Sequence, residues 1–170
     1  MKTWARARVL AAGAAVFALC AAPGGTAFDL TDTDGHHHRL ADYKGRWVVM
    51  NFWATWCVPC IQEIPEIAAF RRDHGDVAVI GVAIDAEDAA KTRRFAAKVG
   101  HEYPLVLADD GVESQLGAVR ALPTTRIYDP DGKLVYDKPG RVDRKMLEES
   151  TVRGAPRIQR SLSARSTRLE

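Results

Sequence analysis

The sequence predicts an α/β domain with a mixed central sheet flanked by helices. Two runs, RWVVMNFW (46–53) and DVAVIGVAID (76–85), are almost continuously apolar, the pattern of strands covered on both faces. Each is followed by a stretch with helical character, so the two strands read as parallel neighbours joined by crossovers. Further on, TTRIYD and KLVYD flank Asp129-Pro130-Asp131-Gly132, a turn that brings its arms together antiparallel.

Phe28 to Ala41 reads as an N-terminal hairpin: FDL, then TDTDGHHHRL turning around Asp34-Gly35. The histidine run His36-His37-His38 falls in that turn and reads as a solvated loop. Residues 46–53 form the first core strand. Behind it, CIQEIPEIAAFRRDH sets Ile61, Ile64, Ala68 and Arg71 at helical spacing. Gly75 ends this helix, and Pro65 inside it predicts a kink. Residues 76–85 form the second core strand. Ala86 to Gly100 is a helix stopped by its glycine. Tyr103 to Asp109 gives a short strand and Gly111 to Val119 a short helix; the hairpin follows, and Val142 to Ser150 closes the domain as a helix. There are no internal repeats, and 170 residues set one domain as the default.

Cys57 and Cys60 stand two residues apart where the first core strand gives way to a helix. Three chemistries use that spacing: a structural metal knot, a structural disulfide, and a disulfide that opens and closes. A zinc knot needs four ligands, and the sequence has no second CxxC. A structural disulfide across so small a loop adds little, because its entropic gain grows with loop length. A reactive dithiol fits the position. A helix N-terminus offers unpaired N–H groups and about half a positive charge, which favour a thiolate. Cys57 is therefore expected to attack, and Cys60, one turn further in, to resolve the mixed disulfide. Val58 and Pro59 add no competing polar side chain, and Pro59 brings no N–H. Trp53 is expected in the core. Trp56 is placed to cover the sulfur and to offer a partner apolar contact.

The segment WVVMNFWATWCVPCIQEIPEI resembles the active-site region of the TlpA-like thiol-disulfide oxidoreductases, exported members of the thioredoxin superfamily. The resemblance runs over roughly residues 28–150. DYKGRW resembles the family's approach to its first core strand, Ala86 to Gly100 its inserted helical element, Ala121-Leu122-Pro123-Thr124-Thr125 its proline loop, and TTRIYDPDGKLVYDKPG its closing hairpin. It implies a thioredoxin-like fold with a cis Leu122–Pro123 bond against the Cys57–Cys60 turn. An incoming peptide would then pair with the backbone at Leu122 as an added strand. It makes Trp56, Pro59, Leu122, Pro123 and Thr124 the partner-facing set. It also gives Glu63, three residues past Cys60, the position of an acid that tunes the thiols. Glu66 is read as a solvated helix residue.

The ends of the chain differ from its middle. Lys2, Arg6 and Arg8 precede the apolar stretch VLAAGAAVFALCAA, with Gly25-Thr26-Ala27 after it, so residues 1–27 read as an export signal or an uncleaved anchor, with Cys20 one more apolar residue of it. Residues 151–170 carry five arginines and a single acid, and read as a disordered basic tail. Between the ends lie 16 basic and 21 acidic residues, a net charge of −5, so nucleic-acid binding by the domain gets no support. Export implies a compartment where disulfides persist. The expected protein is then a periplasmic or otherwise extracytoplasmic monomer. It needs no cofactor beyond the Cys57–Cys60 couple, acts on disulfides or thiols of exported proteins, and is recharged by a membrane thiol donor. Cytochrome c maturation and copper-centre assembly are the roles the resemblance implies. A copper chaperone using the same thiolates is the alternative from another class. A peroxidase of the same fold would want a threonine and a proline ahead of a lone cysteine; Thr55 is present and the earlier proline is not.

Overall fold

A computed structural model of the chain describes residues 27–84, 86 and 88–151. The predicted export segment up to residue 26 and the basic tail from residue 152 lie outside the described residues. The chain opens with a hairpin, β1 (Asp29–Thr31) and β2 (His37–Arg39), and a short 3-10 helix (Leu40–Tyr43). Then come β3 (Trp47–Trp53), α1 (Val58–Asp73), β4 (Val77–Ala83), α2 (Ala89–Lys98), β5 (Leu105–Leu107) and α3 (Asp110–Leu116). β6 (Thr124–Tyr128), β7 (Leu134–Pro139) and α4 (Arg144–Thr151) complete it.

The main sheet has the order β5-β4-β3-β6-β7. β3 pairs in parallel with β4, from Trp47 opposite Val77 to Trp53 opposite Ala83, and β4 in parallel with β5. β6 runs antiparallel to β3 and to β7, so the sheet is mixed, as the sequence predicts. Every residue of β3 and β4 is buried, as expected of central strands with both faces covered. Alternation sends Val48, Met50 and Phe52 to one face, under Phe28, Leu30 and Leu40 of the N-terminal segment and Leu116 of α3. Val49, with Val77 and Val79 of β4, faces the other way, against Ile67, Ala68 and Phe70 of α1 and Leu147 of α4.

Several boundaries shift. The buried face of α1 is Cys60, Glu63, Ile64, Ile67, Ala68 and Phe70, whereas Ile61 is half-buried and Arg71 exposed. The apolar spacing put Ile61 and Arg71 on the buried stripe in place of Cys60, Glu63 and Phe70, and the glutamate is a member that hydrophobicity does not count. The helix is continuous from Val58 to Asp73 with exposed Pro65 inside it. α2 starts at Ala89, where the Asp88 side chain accepts the Lys91 N–H as an N-cap; it runs out at Val99 just before Gly100, whose φ of +79° suits glycine. α3 ends at Leu116, ahead of Gly117 at φ +77°. Thr151, assigned by sequence to the tail, is the last residue of α4, buried, with its hydroxyl donating to the Leu147 carbonyl.

The histidine run is only partly a solvated loop. His37 and His38 belong to β2, and His38 is buried, bridging the Tyr43 hydroxyl and the Asp32 carboxylate (Nε2 to Oδ2 3.0 Å). The alternation of β2 turns one histidine of the run inward.

Candidate active site

β3 delivers Ala54, Thr55 and Trp56 to the start of α1, and Cys57 takes the N-cap position of that helix. Its side chain makes no capping hydrogen bond, and Pro59 sits in the first turn. A helix start holds N–H groups without intrahelical partners, so a sulfur at the N-cap meets their partial positive charge. Cys57 and Cys60 are joined in a disulfide, with Cα atoms 5.3 Å apart. Cys57 is 4% exposed and Cys60 fully buried. The order of exposure is the one expected of an attacking and a resolving thiol.

Around the disulfide the surface is apolar. Trp56 and Val58 are each 64% exposed, unusually open for large hydrophobic side chains, and Pro59 beside them is also exposed. Trp53 is fully buried, in the same cluster as Cys57, Cys60 and Ile64. Leu122 packs half-buried against that cluster, which brings the proline loop to the disulfide. The Leu122–Pro123 bond is cis. The loop is held by the Thr124 hydroxyl donating to the Ala121 carbonyl (2.7 Å) and the Gly140 N–H donating to the Pro123 carbonyl (2.8 Å). Thr124 thus shapes the loop from inside and is buried, whereas Leu122 reaches its surface.

Glu63 is fully buried beneath this surface, one turn past Cys60. Its Oε1 accepts from Nδ2 of Asn51 (2.7 Å) and its Oε2 from the Val142 N–H (2.8 Å). Burial raises its pKa to about 7, against the opposing pull of those two hydrogen bonds and of the Arg141 charge. Glu66, by contrast, is partly exposed and pairs with Arg141 (3.2 Å).

The remainder of this layer was not singled out from the sequence. Asn51 is a fully buried amide in the middle of β3, and its Oδ1 accepts from the Tyr103 hydroxyl (3.3 Å). The Tyr103 ring lies 3.8 Å from the His101 ring, centroid to centroid, and His101 lies 5.4 Å from Trp53. Burial holds the His101 pKa down to about 4. The available signal was the lone polar letter in WVVMNFW: a buried amide needs partners, so it marks where a second polar group must approach. Among the described residues, donors close enough to share a cation meet at Asp32, Asp34 and His36 in the hairpin, and neither cysteine belongs to that group.

A thioredoxin-like sheet, a CxxC pair at a helix start and a cis-proline loop beside it define a thiol-disulfide oxidoreductase. Comparison with known proteins agrees, and the chain belongs to the AhpC/TSA family, whose model matches residues 21–137. It is 37% identical over 134 residues to the thiol-disulfide oxidoreductase ResA of Geobacillus kaustophilus, covering 75% of each chain. To the ResA of Bacillus subtilis it is 34% identical, over 72% of this chain and 69% of the relative. Among solved structures, the MTB dsbF protein superposes with a TM-score of 0.64 at 26% identity, over 74% of this chain and 92% of the other. An exposed lipoprotein thioredoxin of Streptococcus pneumoniae strain TIGR4 gives 0.63 at 28%, over 73% and 96%.

Proposed function

We propose that this protein is an exported disulfide reductase that acts on partner proteins outside the cytoplasm, in cytochrome c maturation or a related assembly step. The reduced form starts with Cys57 as thiolate at the helix N-terminus. It attacks one sulfur of a partner disulfide; a mixed disulfide forms and the other partner sulfur leaves as a thiolate, which takes up a proton. Glu63 accepts the Cys60 proton. The Cys60 thiolate then attacks Cys57 Sγ, the mixed disulfide breaks, and the second partner thiolate departs. The partner gains two electrons, and the Cys57–Cys60 bond holds the oxidation. A membrane thiol donor recharges the protein by the same exchange in reverse.

The observation that carries this reading is the layering at the start of α1: Cys57 at the cap, Cys60 buried a turn below, and a carboxyl with a pKa of about 7 a turn further. An acid titrating near the working pH is the best compromise between holding and giving up a proton. The exposed Trp56 and Val58 give a partner apolar surface to cover. Leu122, whose own N–H and C=O make no hydrogen bond among the described residues, is the position where an extended segment would add a strand beside the disulfide, next to exposed Pro59; Pro123 is buried and shapes the loop from inside, as Thr124 does. Export is supported by the apolar N-terminal stretch and by the pneumococcal neighbour, described as an exposed lipoprotein.

The test is a trapping experiment. Cys60→Ser expressed with its signal should hold its partners as mixed disulfides through Cys57, recoverable from the extracytoplasmic fraction and released by dithiothreitol. Recovery of no mixed disulfide, or an equal yield from Cys57→Ser, would contradict the reading. The reduction potential of the couple sets the direction: near −270 mV, about that of thioredoxin, indicates a reductant, and near about −120 mV an oxidant.

A further inference from the structure

The Glu63 carboxyl is joined to a chain of groups that nothing in the exchange reaction directly requires. Tyr103 donates to Oδ1 of Asn51, and Asn51 donates through Nδ2 to Glu63. A primary amide has one donating and one accepting end, and the two ends favour opposite states of a neighbouring carboxyl: N–H stabilises the carboxylate, and C=O stabilises the protonated acid. The phenol favours one end: a phenolic hydroxyl is a stronger donor than acceptor, so it sits better against Oδ1, which leaves Nδ2 for the carboxyl. The phenol is itself fixed. Tyr103 is almost wholly buried, and its ring packs at a tilt against His101. His101 in turn fits over Gly81 of β4 so closely that a Cβ there would fall 2.2 Å from His101 Nε2. The glycine makes room for the imidazole, the imidazole holds the phenol, and the phenol sets the amide.

We infer that Tyr103 and Asn51 are positioning residues that keep an N–H, and not a carbonyl oxygen, against Glu63, so that its carboxylate form stays accessible for proton exchange with Cys60. This deepens the role proposed for Glu63 and rests on it. Other groups facing the carboxyl are few. Arg141, in the segment leading into α4, favours the carboxylate, and Glu66 on α1 opposes it. The Val142 N–H donates to Oε2. β4 brings no titratable side chain, and β6 brings Thr125, opposite Asn51 in register, whose buried hydroxyl has no hydrogen-bond partner. Without the Tyr103 hydroxyl that preference is lost, and an amide turned to present Oδ1 to a protonated Glu63 becomes more favourable.

The experiment is a carbon-13 carboxyl NMR titration of Glu63 in the oxidised full-length protein, with the pH profile of disulfide exchange measured beside it. Tyr103→Phe keeps the ring and removes only the hydroxyl; its Glu63 midpoint should rise by about one pH unit, a tenfold shift in proton affinity. Asn51→Ala should shift it in the same direction. Thr125→Val, which deletes an unpartnered hydroxyl in the same layer, is the control and should leave the midpoint in place. A folded Tyr103→Phe protein with a midpoint within about 0.2 unit of wild type overturns the inference. So does an equal shift in Thr125→Val, which would mark general repacking. The exchange profile of Glu63→Gln judges the parent reading separately. If the variant keeps every inflection of the wild-type profile, including the one that follows the Glu63 midpoint, Glu63 carries no proton in the reaction, whatever its titration shows.

Discussion

Among the described residues two carboxyls are buried, and burial has opposite outcomes for them. Asp32 lies in the N-terminal hairpin and Glu63 under the active site. Desolvation works against the charge of both. At Asp32 it is overruled: the His38 ring and the N–H groups of His36 and Asp34 donate to the carboxylate, and its pKa falls to about 2. At Glu63 desolvation prevails over two hydrogen bonds and a more distant arginine, and the pKa rises to about 7. Donor number and depth make the difference. The first arrangement is a clasp, tying β1, β2 and the 3-10 helix together through an anion that stays charged. The second keeps an acid at the threshold of ionisation near neutral pH. Burial thus leaves a structural ion where three donors meet the carboxylate and a titrating group where the carboxyl lies deeper with two.

Exchanging each carboxyl for its amide should separate the two roles. Asp32→Asn should lower unfolding stability by about 2 kcal/mol, read by urea denaturation, and leave disulfide exchange unchanged. Glu63→Gln should slow exchange on the order of a hundredfold and, near neutral pH, should be no less stable than wild type. A common effect of both on either measurement would erase the distinction.

Gly81→Ala comes next in size. The added methyl must displace His101, a cost of about 2 kcal/mol by overpacking, visible as a lower thermal midpoint; an unchanged midpoint would mean that the imidazole is free to move.

The pH dependence of stability sharpens the comparison further. Glu63 has a folded pKa above its ordinary value of 4.5, so the folded state holds its proton more tightly and this stabilisation is lost as pH rises from 4.5 to about 7. His101 has a folded pKa of about 4, below its ordinary 6.5, so unfolding takes up a proton and stability is lost as pH falls from 6.5 to about 4. The slopes are opposed and largely cancel where the windows overlap. Glu63→Gln should therefore gain on wild type as pH rises across its window, and His101→Phe should gain as pH falls, each at up to about 1.4 kcal/mol per unit. Asp32 acts separately, its contribution lost as pH drops from 3.8 toward about 2. Parallel curves for wild type and both variants would refute the opposed pair.

The smallest effect belongs to Arg141→Ala. Its pairing with Glu66 is partly exposed and worth little to stability, but the loss of its charge should raise the Glu63 midpoint by a few tenths of a unit, seen in the same carboxyl titration.

The sequence exposed most of the architecture, because apolar runs and turn residues act locally. The seven-residue strands β3 and β4, the helix behind Cys57 and the Asp129–Gly132 turn all sit where periodicity puts them. Cys57 and Cys60 were legible from spacing and position, and Pro123 from resemblance. Asn51, Tyr103 and His101 were not, because their significance depends on contacts across as many as 52 positions of sequence. His38 was misjudged for a related reason: a run of three identical residues hides which one the strand alternation turns inward. Glu63 was placed correctly on its helix, but its depth is set by Asn51 of β3 and Val142 ahead of α4, which no local pattern announces.

The most direct measurement is the rate at which the reduced protein is alkylated at position 57, followed from pH 4 to 10. The account predicts a rate profile with its inflection below about 7.5, because the thiolate is stabilised at the helix start. An inflection at about 8.5, that of an ordinary free cysteine, would contradict it.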